Sequence, residues 1–379
     1  MISILGAGCS TAAGTGVAAL MRGLDGDLDF SSDVATTNWT VPPKADFLPR
    51  AIRWAERFVT ARETLIYHLG LAFDEARAEA DLKGESRVGI ILASTKGLTE
   101  DFVWDQSAHP PRDPLTPLLD EMISRIGFQF RDRICVSNAC ASSLAALALA
   151  KTWIQAGRVD DVIVLACDSI DSFVLHGFHQ LRVLTSDRTR PFSGDRSGFL
   201  LGDGAACLIL SNRIPAEVSL IDARFDSEGY AVTRPSLSGE SLLRACRMAG
   251  AGKRKIDLVV AHGTATLAND ETEDRVFTAL FEKDRPLVTG TKWLVGHTLG
   301  TSGLIDVISA RASLRRQKGF LLKTTPRVDE SFRGGNYLAQ SAVVKASRLE
   351  TALVTSLGFG GVHAAALIGF SDAQGGDKS

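Results

Sequence analysis

Five short runs in this 379-residue chain are apolar at nearly every position: "VGIILAS" (88–94), "DVIVLAC" (161–167), "AACLILS" (205–211), "DLVVAHG" (257–263) and "ALVTSLGFG" (352–360). A strand with one wet face alternates polar and apolar residues. These runs do not alternate, so both of their faces must be covered. Helical patterns at 50–80, 141–156, 240–250, 270–282 and 300–317 supply the covering layers. The pattern predicts an α/β protein with helices packed on its strands.

The strand–turn–helix series occurs twice. Residues 1–211 close on "GFLLGDGAACLIL" and residues 218–370 on "VTSLGFGGVHAAALIGF", each read as a glycine-rich hairpin. Two duplicated halves, 1–212 and 213–379, are expected to form one unit, because no low-complexity linker separates them.

Charge and composition narrow the function. The 42 Lys and Arg against 44 Asp and Glu leave a net charge of −2, which gives no general attraction to nucleic acid or acidic membranes. No apolar run reaches the ~18–20 residues needed to span a bilayer. The start, "MISILGAGCSTAAGTG", has no positive leader region and reads as a strand and a glycine-rich turn, so the cytosol is expected. Cysteines 9, 135, 140, 167, 207 and 246 include no C-x-x-C pair and read as reduced thiols. The seven histidines contain no H-x-x-x-H or H-E-x-x-H pair, and neither metal nor cofactor is expected.

Cys140 stands apart from the other thiols. "RICVSN" ends an apolar run, and "ASSLAALALAKTWIQAG" continues as helix, placing Cys140 on the turn at the helix start. Free N–H groups and the positive dipole end favour an anion there and should lower the thiol pKa. That helix is apolar nearly all round (Leu144, Leu147, Leu149, Trp153, Ile154), which predicts a buried central element. Cys140 is the candidate nucleophile, against the alternative of simple core packing; Cys135 is read as structural.

Three further segments end strands with reactive groups. "VVAHGTATLANDETE" delivers His262, then Thr264 and Thr266, with Asp270 and Glu273 opening the next helix. "TGTKWLVGHTLGTSG" brings Lys292 and His297, and "SLGFGGVH" supplies glycines where backbone must approach a reacting group. One thiol and two imidazoles at strand ends suit a reaction that builds an enolate beside a thioester, because neutral imidazoles can donate hydrogen bonds to the developing oxyanion.

In "NACASS" (138–143), "PFSGDRSGFLLGDGA" (191–205), "AHGTATLANDETE" (261–273), "KWLVGHTLGTSG" (292–303) and "GFGGVHAAALI" (358–368), the chain resembles the β-ketoacyl-acyl-carrier-protein synthases of the thiolase superfamily, essentially end to end. The resemblance implies a thiolase fold, two βαβαβαββ halves in five αβαβα layers. It implies decarboxylative Claisen condensation, with Cys140 carrying the acyl group and His262 and His297 holding the malonyl thioester carbonyl. It further implies an oxyanion hole from the N–H groups of Cys140 and Phe359, with Phe359 also a gate, and a Lys292–Glu273 ion pair ordering the histidine loops. Thr264, Thr266, Asp270 and Gly360 would shape the malonyl end. Acyl- and malonyl-loaded carrier protein would be the partner, docking on Arg182 and on Arg53 and Arg57 of a helix "RAIRWAERFVTARE". The strand "RDRICVSN" (131–138) would pair across a homodimer, or a heterodimer with a second ketosynthase-like subunit.

Departures from the family pattern are local. "ASTKG" (93–97) replaces a glycine-rich stretch of the acyl pocket, and His363 stands where the family has Asn, which reads as filler. The 379 residues read as a discrete type II subunit, in fatty acid, polyketide or aryl-polyene-type synthesis. A catalytically dead, chain-length-factor-like partner subunit is the alternative, and the retained Cys140, His262, His297 and Lys292 argue against it. A degradative thiolase would need a second cysteine near the end, and residues 358–379 contain none.

Overall fold

Ten principal strands fall into two groups of five with the same internal order. The first group comprises β1 (Ile2–Thr11), β2 (Val88–Ala93), β3 (Asp132–Val136), β4 (Asp161–Asp168) and β5 (Gly204–Ser211). They lie in the order β3-β2-β4-β5-β1, parallel across β3, β2 and β4 and antiparallel thereafter. The second group comprises β6 (Val218–Ser227), β7 (Leu258–Val260), β8 (Leu287–Thr289), β9 (Thr351–Gly358) and β10 (Val362–Phe370). Its order is β8-β7-β9-β10-β6, again parallel across the first three and then antiparallel. The groups join where Ile2 and Ser3 pair with Leu220 and Ser219. This computed structural model describes residues 1–26, 51–80, 82, 87–99, 113–282, 284–342 and 348–371.

Parallel neighbours need crossover helices, and these make the layers. The principal ones are α1 (Ala61–Glu79), α2 (Ser142–Gln155), α3 (Ser172–Gln180), α4 (Glu240–Met248), α5 (Leu267–Phe281) and α6 (Ser302–Arg316). Helix α1 covers β1 and β5 from outside, and α4, backed by α5, covers β6 and β10 from the opposite outside. Helices α2 and α6 lie between the two groups and touch both. The largest core forms there, from Leu144, Leu147 and Ile154 of α2 with Ile305, Ile308 and Leu314 of α6. The order is therefore helix, sheet, helix, sheet, helix, as expected. Two glycines set one spacing: a Cβ on Gly6 or Gly8 would fall 2.0 Å from Ala76 O or 2.1 Å from Ala72 O, so α1 rests directly on the β1 backbone.

Two local expectations change. Helix α1 starts at Ala61 rather than near residue 50, because the Thr60 hydroxyl accepts from Glu63 N while the Glu63 carboxylate accepts from Thr60 N, a capping box. Ala51–Ile52 upstream pair instead with Leu201–Gly202, and residue 50 lies outside the described residues. That pairing also means "GFLLGDGAACLIL" forms no hairpin; β5 is flanked by β4 and β1. The second glycine-rich segment does form one, β9 turning into β10. Strand β3 ends the sheet, with Arg133 and Ile134 exposed. Among the described residues, no helix is long and apolar enough to cross a membrane.

Candidate active site

Cys140 sits in the turn between β3 and α2, after Ala139 in a left-handed conformation (φ +48°). Its side chain is buried, its carbonyl accepts from Ser356 Oγ at 2.8 Å, and its thiol meets the backbone N–H groups of Phe359 and of Cys140 itself. Those two N–H groups are the pair expected to form an oxyanion hole. Burial pushes the thiol up to about 12, against the downward pull of Lys292 and the N–H groups. This reverses the expectation of a helix-lowered thiolate: desolvation of the anion outweighs the helix terminus. Cys135, on β3, is half-buried and pushed up to about 11, again mainly by burial.

The two histidines converge from the second group of strands. His262 follows β7, and His297 follows a short helix, Lys292–Val295, that begins three residues after β8. Their ring centroids are 5.1 Å apart with planes at 85°. His297 Nδ1 is paired with Ser302 Oγ at 3.0 Å, while His262 Nδ1 has no hydrogen-bond partner among the described residues. Burial, then the charge of Lys292, holds both imidazoles well below their ordinary pKa. Both are neutral at physiological pH, the form able to donate to a developing oxyanion.

Lys292 reaches all three groups electrostatically, but its ion-pair partner is not Glu273. Its Nζ lies 3.1 Å from Asp306 Oδ2 on α6, and both side chains are buried. Glu273 is already saturated by four donors: His262 N at 2.8 Å, Gly263 N at 2.7 Å, Asn269 Nδ2 at 2.9 Å and Thr355 Oγ1 at 2.6 Å. Glu273 thus orders the His262 loop through backbone, and Asp306 neutralises the lysine.

A cavity of about 100 Å³ opens onto this centre, lined among others by His262, His297, Thr264, Thr266, Phe359 and His363. Thr264 Oγ1 and Thr266 Oγ1 are 3.1 Å apart on its wall, and Thr266 also caps α5. The Phe359 ring stacks on Phe178, centroids 5.4 Å apart, and Cys140 is absent from the wall.

Residues 1–216 match the β-ketoacyl synthase N-terminal domain and residues 216–321 the C-terminal domain. The chain belongs to the β-ketoacyl synthase family. A 3-oxoacyl-[acyl-carrier-protein] synthase 2 of Mycobacterium bovis is 29% identical over 260 residues, 61% of this chain and 60% of that protein. Nodulation protein E of Rhizobium leguminosarum bv. trifolii is 34% identical over 188 residues, 46% of each. The matched region thus spans about 60% or less of these curated relatives. In fold, a ketosynthase in complex with its chain length factor from Xenorhabdus doucetiae superposes with a TM-score of 0.80, at 21% identity and covering 98% of both chains. A β-ketoacyl synthase from Burkholderia phymatum also gives 0.80, at 18% identity over 97% of this chain and 99% of that one.

Other residues of this β-ketoacyl synthase family chain depart from expectation. Asp270 is buried and does not line the cavity; it accepts from Phe192 N at 2.6 Å and from Ala265 N at 3.1 Å, bracing a turn in which Ala265 has φ +60°. Burial raises its carboxyl to about 7. Gly360 has φ +85°, is exposed, and donates to Val232 O at 2.6 Å. His363 is no inert filler: it is buried on the cavity wall with Nε2 3.1 Å from Glu228 Oε1. Nothing in the glycine-rich motif pointed to that acid. Arg53 and Arg57 are not on a helix, and both lie within ion-pair distance of buried Asp203, at 3.6 and 3.0 Å. With its side chain 7% exposed, Arg53 offers no docking surface. Arg182, just past α3, is exposed and makes no ion pair among the described residues.

Proposed function

We propose that this chain is a decarboxylative condensing enzyme acting on thioesters of an acyl-carrier protein. Cys140 Sγ attacks the acyl carbonyl, the carrier thiol leaves, and an acyl-Cys140 thioester results. A malonyl thioester then enters the cavity with its carbonyl oxygen toward His262 and His297. Its carboxylate carbon–carbon bond breaks, CO₂ departs, and the imidazole N–H groups stabilise the enolate. The enolate carbon attacks the acyl-Cys carbonyl, whose oxyanion the N–H groups of Cys140 and Phe359 receive. The carbon–sulfur bond breaks, the β-ketoacyl thioester leaves on its carrier, and the Cys140 thiolate takes a proton from water. No cofactor enters this sequence.

The observation that carries this reading is the pair of neutral, buried imidazoles set 5.1 Å apart at a right angle on the wall of one cavity. The two N–H groups at the Cys140 thiol support the same reading. Residues 1–212, with the nucleophile, and 213–379, with both histidines, are its two halves, working in the cytosol.

The partner assignments belong to the same proposal. The exposed edge of β3, where Ile134 is 41% exposed, would pair with a second subunit beside the apolar groove of Val136, Leu149, Phe225 and Met248. The Xenorhabdus ketosynthase, solved with its chain length factor, supports the heterodimer; a homodimer is the other pairing this edge would allow. Intact-mass analysis with a panel of acyl- and malonyl-loaded carrier proteins tests the reading. Mass gain on Cys140 and release of CO₂ are expected; neither, with any carrier, overturns it.

A further inference from the structure

One hydroxyl outside the cavity links the two ends of the site. Thr95 lies in the "ASTKG" loop after β2 and is half-buried. Its Oγ1 donates to Ala139 O at 3.3 Å and accepts from Gly300 N at 2.8 Å. Ala139 precedes Cys140, and Gly300 lies three residues beyond His297. Each of these two turns holds a non-glycine residue in the left-handed region, Ala139 at φ +48° and Leu299 at φ +50°. Such backbone persists only where neighbouring bonds determine it.

The loop is itself held firmly. Thr95 N donates to Asp168 Oδ1 at 3.0 Å, Ser94 Oγ donates to the same oxygen at 2.9 Å, and Thr95 O accepts from Ser137 Oγ at 3.0 Å. Asp168 is fully buried at the end of β4. The approach is close enough to require glycine at residue 300: an added Cβ would fall 2.9 Å from Thr95 Oγ1 and 3.1 Å from Asp168 Oδ2. Beyond Gly300, Ser302 Oγ holds His297 Nδ1 at 3.0 Å. A short chain of contacts therefore runs from the Cys140 turn through Thr95 to the His297 turn.

We propose that Thr95 is a positioning residue that sets the nucleophile turn against the histidine turn. Its role in the reaction rests on the condensing activity proposed above; the tie itself does not. Thr95→Val keeps the shape and removes the hydroxyl, leaving Ala139 O and Gly300 N without it. Thr95→Ser restores it. Hydrogen–deuterium exchange read by mass spectrometry should speed up in Thr95→Val in peptides covering both 137–143 and 298–303, and return toward wild type in Thr95→Ser. Condensation kcat should fall roughly ten- to a hundredfold in Thr95→Val, the scale of a small misplacement of reacting groups, with KM within about twofold. Serine should recover most of kcat. If Thr95→Val does not fold, Thr95→Ala takes its place in both measurements. Unchanged exchange, or exchange rising in one peptide alone, overturns the tie. Faster exchange in both with unchanged kcat, or no recovery by serine, overturns the positioning role. A wild-type protein that neither loads Cys140 nor releases CO₂ refutes the condensing reading, and exchange still decides the tie.

Discussion

The two ends of the site are buried alike, and burial moves their ionisable groups in opposite directions. At the end of the first sheet group, the Cys140 thiol is pushed up to about 12. At the ends of the second, His262 and His297 are held well below their ordinary value. Desolvation penalises whichever form is charged, so a thiol stays protonated and an imidazole stays neutral. The thiol and both imidazoles therefore rest uncharged beside the buried Lys292–Asp306 ion pair. The ends also differ in support. Glu273 accepts from His262 N with one oxygen and from Gly263 N with the other, whereas the Cys140 turn is tied by single hydroxyls from Thr95, Ser142 and Ser356. Under the proposed reaction the histidine end would stay fixed while charge develops on its ligand, and the cysteine end would start from a protonated thiol.

Removing the nucleophile separates the two ends most sharply. Cys140→Ala should abolish condensation, a loss of at least roughly 10³-fold by analogy with other nucleophile deletions. Release of CO₂ from malonyl carrier protein should persist, because both imidazoles remain. Loss of both steps together would mean that the ends do not work independently.

His297→Ala is the complementary experiment and the next largest effect. Removing one donor to a developing oxyanion costs roughly 2.7–4 kcal/mol, or 10²–10³ in rate. Decarboxylation should fall by that factor while acyl loading of Cys140, read by intact mass, continues. Wild-type decarboxylation by this variant would remove His297 from enolate stabilisation.

The protonation contrast is tested by pH. With a thiol pKa of about 12, iodoacetamide alkylation of Cys140 in substrate-free protein should rise about tenfold per pH unit from 7 to 9 with no plateau, since thiolate is the reacting form. The imidazoles have the opposite sign: their pKa values lie well below 6.5, so lowering pH from 8 to 6 should not protonate them. Decarboxylation by Cys140→Ala should be flat across that window. A plateau in alkylation near pH 7, or a break in decarboxylation near 6.5, would show that the site is more solvated than its burial indicates.

The same contrast explains what the sequence made legible. Strand ends carry the reactive residues: His262 ends the conspicuous run "DLVVAHG", whereas Cys140 was marked by the turn between "RICVSN" and the helix after it, and Lys292 and His297 by the glycine-rich segment "TGTKWLVGHTLGTSG". The repeated strand–turn–helix series was visible for the same reason; the order of the strands within the sheet was not. Partners across the core were not. Asp306 lies in "SGLIDVISA", and an acid inside so apolar a helix is itself a sign that a buried cation needs it, but the cation is 14 residues away in sequence. The Glu228–His363 contact reaches from just past β6 to its neighbour β10 and had no local signal. The start of α1 was legible in Thr60 and Glu63 and was obscured by the helical look of "RAIRWAERF", whose Ile52 and Trp54 are buried outside any helix. The lowered thiol pKa expected from the helix start failed because a terminus position says nothing about desolvation.

The smallest expected effect lies outside both ends, where the carrier protein would dock. Arg53 is buried and Arg57, though exposed, is paired with Asp203, which leaves Arg182 as the exposed candidate with no ion pair among the described residues. It follows α3, the helix that carries Phe178, and Phe178 stacks on Phe359 at the cavity, so a partner seated there would sit close to the entrance. A carrier protein is acidic, and a chain with net charge −2 must attract it locally rather than by overall field. Exposed ion pairs contribute roughly 0.2–1 kcal/mol, so reversal in Arg182→Glu should raise KM for the carrier substrate by only about two- to fivefold. The salt dependence of that KM should weaken, because salt screens an attraction that the variant lacks. Turnover of a short carrier-free thioester should barely change. Equal losses with both substrates would mean that Arg182, whose backbone is left-handed at φ +55°, supports the end of α3 rather than a partner. The cysteine and histidine ends would then share one entrance whose recognition lies elsewhere.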